Sequence, residues 1–84
     1  MFDYQFTKTS FKRLEKLPKD IQIRILNKLD YFCQQEDPLD FAEPLTKSIL
    51  GEYRFRIGDY RVAFDLEDKI IVIQDVDHRK EVYR

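Results

Sequence analysis

"RFRIGDYRVAF", Arg54 to Phe64, alternates apolar and polar side chains on either side of a Gly58-Asp59 pair. Period-two alternation marks a strand with one buried face, and Gly-Asp between two such runs suits a two-residue hairpin loop. That loop predicts a register in which Ile57 falls opposite Tyr60, Arg56 opposite Arg61, Phe55 opposite Val62 and Tyr53 opposite Phe64. One face of the hairpin is then aromatic and aliphatic throughout. The other receives Arg54, Arg56, Arg61, Ala63 and Asp65. Like charges directly across an antiparallel pair are mildly destabilising, so facing Arg56 with Arg61 is an arrangement that stability alone does not favour.

Downstream, Ile70 to Val76 reads as a third strand. Matching the apolar positions Leu66, Phe64 and Val62 with Ile70, Val72 and Gln74 sets Arg61 opposite Asp75. Asp75 also supplies the plain alternative, in which Arg56, Arg61 and Asp75 form a solvated ladder of little energetic consequence.

Upstream, "FDYQF" reads as a short strand with Phe2, Tyr4 and Phe6 on one face. "TKTS" offers N-cap hydroxyls to a short helix whose apolar positions are Phe11, Leu14 and Leu17. Pro18 suits the first position of a second helix, in which Ile21, Ile25, Leu29 and Phe32 form an apolar stripe. Cys33 borders that stripe and is read as a small core filler. From Glu36 to Glu52, with Pro38, Pro44 and Gly51, a loop is expected, holding one short turn around "PLTKSIL". The order β-α-α-β-β-β predicts an α+β fold, a mostly antiparallel sheet with a helical hairpin packed on one face, as a single domain over residues 1–84.

Composition bounds the function. A hydrophobic fraction of 43%, with seven Phe and five Tyr among 84 residues, supplies one modest core. One cysteine and one histidine provide neither an internal disulfide nor the usual zinc ligand set, so no metal or cofactor is expected. "MFDYQF" lacks the apolar run of a signal peptide and the longest aliphatic run is "IIVI", so a cytoplasmic protein with no membrane partner is expected. A formal charge of −1 gives no bulk attraction for nucleic acid, but the charge is unevenly distributed. Leu29 to Leu45 holds five acids and no Lys or Arg, whereas five arginines and two lysines follow Gly51.

The tail "VDHRKEVYR" gathers His78, Arg79, Lys80, Tyr83 and Arg84 just beyond the last strand. Continuing the alternation past Asp75 and Asp77 puts Arg79 on the face that carries the hairpin arginines. The stretch "YRFRIGDYRVAFDLEDKIIVIQDVDHRKEVYR" resembles the C-terminal half of the RelE/ParE superfamily of bacterial toxin–antitoxin proteins, in particular the RelE-type branch. "LEKLPKDIQIRIL" fits the first half of the same family, and "RIGDYRV" and "HRKEVYR" are the most specific parts.

The resemblance implies a toxin of a type II toxin–antitoxin system. It would act as an mRNA interferase that inhibits translation, a ribosome-dependent endoribonuclease needing no metal. Its partners would be a cognate antitoxin, the ribosome and mRNA. The reaction is attack of a ribose 2′-OH on the adjacent phosphate, which needs a base, cations for the phosphate oxygens and a proton donor for the leaving 5′-oxygen. By the same resemblance, Arg61 matches the phosphate-stabilising arginine, Arg79 a second catalytic arginine, and Tyr83 the tyrosine that stacks on or orients the scissile nucleotide. Arg54 and Arg56 stand where well-known members place two lysines. An arginine is a poor general base, so His78 becomes the acid/base candidate, its alternative being a loop histidine without a role. Lys80 and Arg84 are phosphate anchors or plain surface. The acidic balance keeps open a protein that only binds its antitoxin, and the superfamily keeps open a ParE-like inhibitor of a topoisomerase such as gyrase.

Overall fold

A computed structural model describes residues 1–45 and 51–78. Strand β1 (Asp3–Phe6) leads into helices α1 (Lys8–Glu15) and α2 (Lys19–Cys33). A 3-10 turn (Pro38–Phe41) and a short strand β2 (Ala42–Pro44) follow, then β3 (Tyr53–Ile57), β4 (Tyr60–Glu67) and β5 (Ile70–His78). The expected α+β architecture is present, with one strand more than the sequence suggested. The loop expected from Glu36 to Glu52 contains both the 3-10 turn and β2, while most of the turn expected around "PLTKSIL" lies outside the described residues.

The five strands run in the order β1-β5-β4-β3-β2. All neighbours are antiparallel except β1 and β5, which pair in parallel from Asp3 with Ile70 to Phe6 with Ile73. The β3–β4 register is the predicted one, with Arg56 across from Arg61. Gly58 takes φ 60° in the turn, the left-handed value that the first loop residue of a type II′ hairpin needs.

The β4–β5 register differs from expectation. The turn runs through Asp68, which itself adopts φ 54°, and pairs Leu66 with Ile71 and Phe64 with Ile73. Gln74 is then inserted as a bulge, after which Ala63 pairs with Asp75, Val62 with Val76 and Arg61 with Asp77. Asp77, rather than Asp75, therefore stands opposite Arg61.

The core lies between the helices and one face of the sheet. Ile25, Leu29 and Phe32 of α2 and Leu14 of α1 meet Phe55, Ile57, Val62, Phe64, Ile71, Ile73 and Val76. A stack of rings runs through it: Phe32 lies 4.3 Å from Phe55, and Phe55 4.4 Å from Phe64, centroid to centroid. Cys33 is buried among these groups, and burial pushes its thiol pKa up, with Asp3 and Asp30 adding to the shift. An inert core thiol results, as its position beside the stripe suggested.

The start of α1 is fastened to β5. Thr7 caps the helix by accepting from the Ser10 N–H, and its own N–H donates to the Ile73 carbonyl at 3.1 Å. The fully buried Ser10 hydroxyl donates to the same carbonyl at 2.7 Å. These bonds carry α1 past the end of β1 and along the distal half of β5, which brings Arg13 to the sheet.

Candidate functional site

The face of the sheet away from the core collects the charge. Alternation along β3 and β4 puts Arg54, Arg56 and Arg61 there, and the bulge at Gln74 brings Asp75 and Asp77 to the same face of β5. From the edge strand, Glu43 pairs directly with Arg54.

Glu43 engages two arginines at once. Its Oε2 accepts from Arg54 Nη2 at 2.9 Å and from Arg54 Nε at 3.3 Å, while its Oε1 lies 3.3 Å from Arg56 Nε. The Arg54 hydrogen bonds, then the charges of Arg56, Arg54 and Arg61, hold the Glu43 carboxyl below its ordinary pKa. The fields of all three guanidiniums thus converge on this one carboxylate.

Arg61 differs from its neighbours in being buried, at 8% exposure. Asp75, at 6%, is buried beside it, and Arg13 reaches in from α1 with Nε 3.1 Å from Asp75 Oδ1 and Nη1 3.6 Å from Asp77 Oδ1. Burial raises the Asp75 pKa and the Asp77 charge adds to it, against the lowering effect of Arg13. Asp65 is used structurally, accepting from the Glu52 N–H at 2.9 Å and from Gln74 Nε2 at 3.2 Å.

The predicted residues divide. Arg54, Arg56 and Arg61 share one surface. His78 does not join them: it pairs with Tyr60, with ring centroids 4.9 Å apart, and lines a cavity with Arg13, Lys16, Leu17, Val76 and Asp77. Adjacent strand residues point to opposite faces, so placing Asp77 across from Arg61 turns His78 towards α1. Arg79, Lys80, Tyr83 and Arg84 lie outside the described residues. Among the described residues, no group of three or more His, Cys, Asp or Glu side chains could hold a metal, and no helix is long and apolar enough to cross a membrane.

Sequence reasoning missed Glu43 and Arg13. "AEP" has three residues and no periodicity to announce a strand, and Arg13 meets Asp75 only through the placement of α1 along β5.

Comparison with known proteins identifies the family. The model of the ParE toxin of the type II toxin–antitoxin system matches residues 4–83. The chain is 31% identical to Toxin RelG of Mycobacterium tuberculosis, over 99% of this chain and 97% of that protein. It is 33% identical to Toxin RelE3 of Methanocaldococcus jannaschii, over 93% and 91%. The crystal structure of the toxin–antitoxin complex RelBE2 from Mycobacterium tuberculosis superposes with a TM-score of 0.80 at 31% identity, covering 93% of this chain and 98% of that one. The archaeal RelE–RelB complex of Pyrococcus horikoshii gives 0.71 at 29%, covering 93% and 94%. With matches that span nearly the whole chain in both sequence and fold, the protein belongs to the RelE/ParE superfamily and is a toxin of the type II toxin–antitoxin class.

Proposed function

We propose that this toxin is a ribosome-dependent mRNA endonuclease, kept inactive in the cytoplasm by a cognate antitoxin. The observation that carries the reading is the pairing of Arg56 with Arg61, beside Arg54, on the sheet face opposite the core formed with α1 and α2. Guanidinium forks bind phosphate oxygens bidentately, and three on one surface suit a phosphate that gains charge when a 2′-OH attacks it. In this reading Arg61 stabilises the phosphate, Arg54 and Arg56 hold the RNA backbone, and Lys80 and Arg84 extend that grip. Arg79 and Tyr83 complete the site as the family resemblance implies. His78 faces the helices, which argues against proton transfer at a phosphate bound by Arg61. An antitoxin partner is supported by the structural neighbours, which are complexes of RelE-type toxins with antitoxins.

The carboxylates of Glu43, Asp75 and Asp77 favour a second reading, a protein that binds its antitoxin without cleaving RNA. The match to the ParE toxin model supports a third, inhibition of a topoisomerase such as gyrase. Programmed ribosomes incubated with purified protein separate these readings. Cut mRNA with wild type and intact mRNA with Arg61→Ala is the expected result; intact mRNA with both would overturn the endonuclease reading, and blocked supercoiling by gyrase would then support the third.

A further inference from the structure

We infer that the Glu43 carboxylate occupies the anion site of the arginine face, so that an RNA phosphate binds only by displacing it. The inference deepens the endonuclease reading and rests on it for the identity of the displacing anion. Its physical basis is the way the carboxylate is held. One oxygen is taken by the Arg54 fork and the other by Arg56 Nε, an arrangement a phosphate could reproduce with its own oxygens. Three arginines lower the Glu43 pKa, Arg61 among them, so the carboxylate sits where their fields overlap.

The carboxylate is also displaceable. Among the described residues, Glu43 is the middle residue of a three-residue strand at the edge of the sheet, paired on one side only, and its side chain is 45% exposed. A phosphate that meets the surface alone competes with a tethered carboxylate already in place. A phosphate held nearby by other parts of its RNA competes far better, because remote binding energy can offset the displacement. Glu43 would thus discriminate against free RNA in favour of RNA presented by a larger assembly.

The test uses the whole protein, with inorganic pyrophosphate and a short single-stranded RNA as probes. Binding is measured by calorimetry, and the Arg54 and Arg56 Nε–H resonances are followed by NMR. If Glu43 fills the forks about nine-tenths of the time, Glu43→Gln and Glu43→Ala should each tighten pyrophosphate binding about tenfold. The resonances of both arginines should shift on titration. For the RNA, the salt dependence should steepen by about 0.7 in log–log slope for each additional phosphate that the variant neutralises. Unchanged or weaker pyrophosphate binding by both folded variants would overturn the inference, since Glu43 would then be organising the forks rather than filling them. Tighter pyrophosphate binding without mRNA cleavage by any form would leave the inference standing and remove the endonuclease reading instead.

Discussion

Arg13 on α1 and Asp75 on β5 form an ion pair of 3.1 Å in which the acid is buried and the base half exposed. Burial outweighs the cation, so the Asp75 pKa is raised. The folded chain then holds a proton more readily than the unfolded chain, and this group's contribution to stability is complete below the ordinary carboxylate range. It is lost as pH rises through the raised value. Asp75→Asn cannot titrate, so its stability relative to wild type should increase as pH rises through that window. Urea melts across the acid range check this; a relative stability that decreases with pH would show that the Arg13 pair dominates.

Arg61 is the residue on which the proposed chemistry depends most. Arg61→Ala should lower mRNA cleavage by about 10²-fold or more, the loss typical of one transition-state donor. Arg61→Lys keeps the charge but not the fork and should recover only part of the rate. His78→Ala should have little effect, because its ring lies against Tyr60 on the other face. Cleavage kinetics of the three variants, with amide spectra to confirm folding, provide the measurement.

Ser10 fastens the helical layer to the sheet through one buried hydroxyl. Ser10→Ala removes that donor, but the Ile73 carbonyl retains the Thr7 N–H, so the expected loss is about 1 kcal/mol. Denaturant unfolding reads it directly.

Gly51 adopts φ 146°, and a Cβ built there would stand 3.0 Å from the Phe64 carbonyl oxygen and 3.1 Å from its nitrogen. Backbone atoms of a central strand cannot move aside. Gly51→Ala should therefore cost about 2 kcal/mol and lower the Tm by about 10 °C, whereas an unchanged melting curve would show that the segment can rearrange.

The Arg54–Phe64 hairpin was fully legible, because its turn residues and its alternation specify the same register. The next ladder was not. "IIVI" is apolar at every position, so its parity has no sequence signal, and a slip of one residue exchanges the two faces of a strand. The bulge at Gln74 then shifts the alternation a second time, moving Asp77 across from Arg61 and His78 to the helix side. The two interactions that brace the arginine surface, from Glu43 and through Arg13, depend on tertiary placement of short elements. The arginines were visible; what holds them was not.

The parallel pairing of β1 with β5 has a consequence for timing. Asp3 must find its partner, Ile70, far along the chain, and Ser10 and Arg13 wait for Ile73 and Asp75. Such non-local pairings form late and slowly. The helices and the β3–β4 hairpin join residues close in sequence and can form first, but the interior strand that flanks Arg61 is fixed only when β5 docks. The charged face is therefore among the last parts of the molecule to be assembled, and a toxin built this way acquires its arginine surface only when β1 and β5 have met.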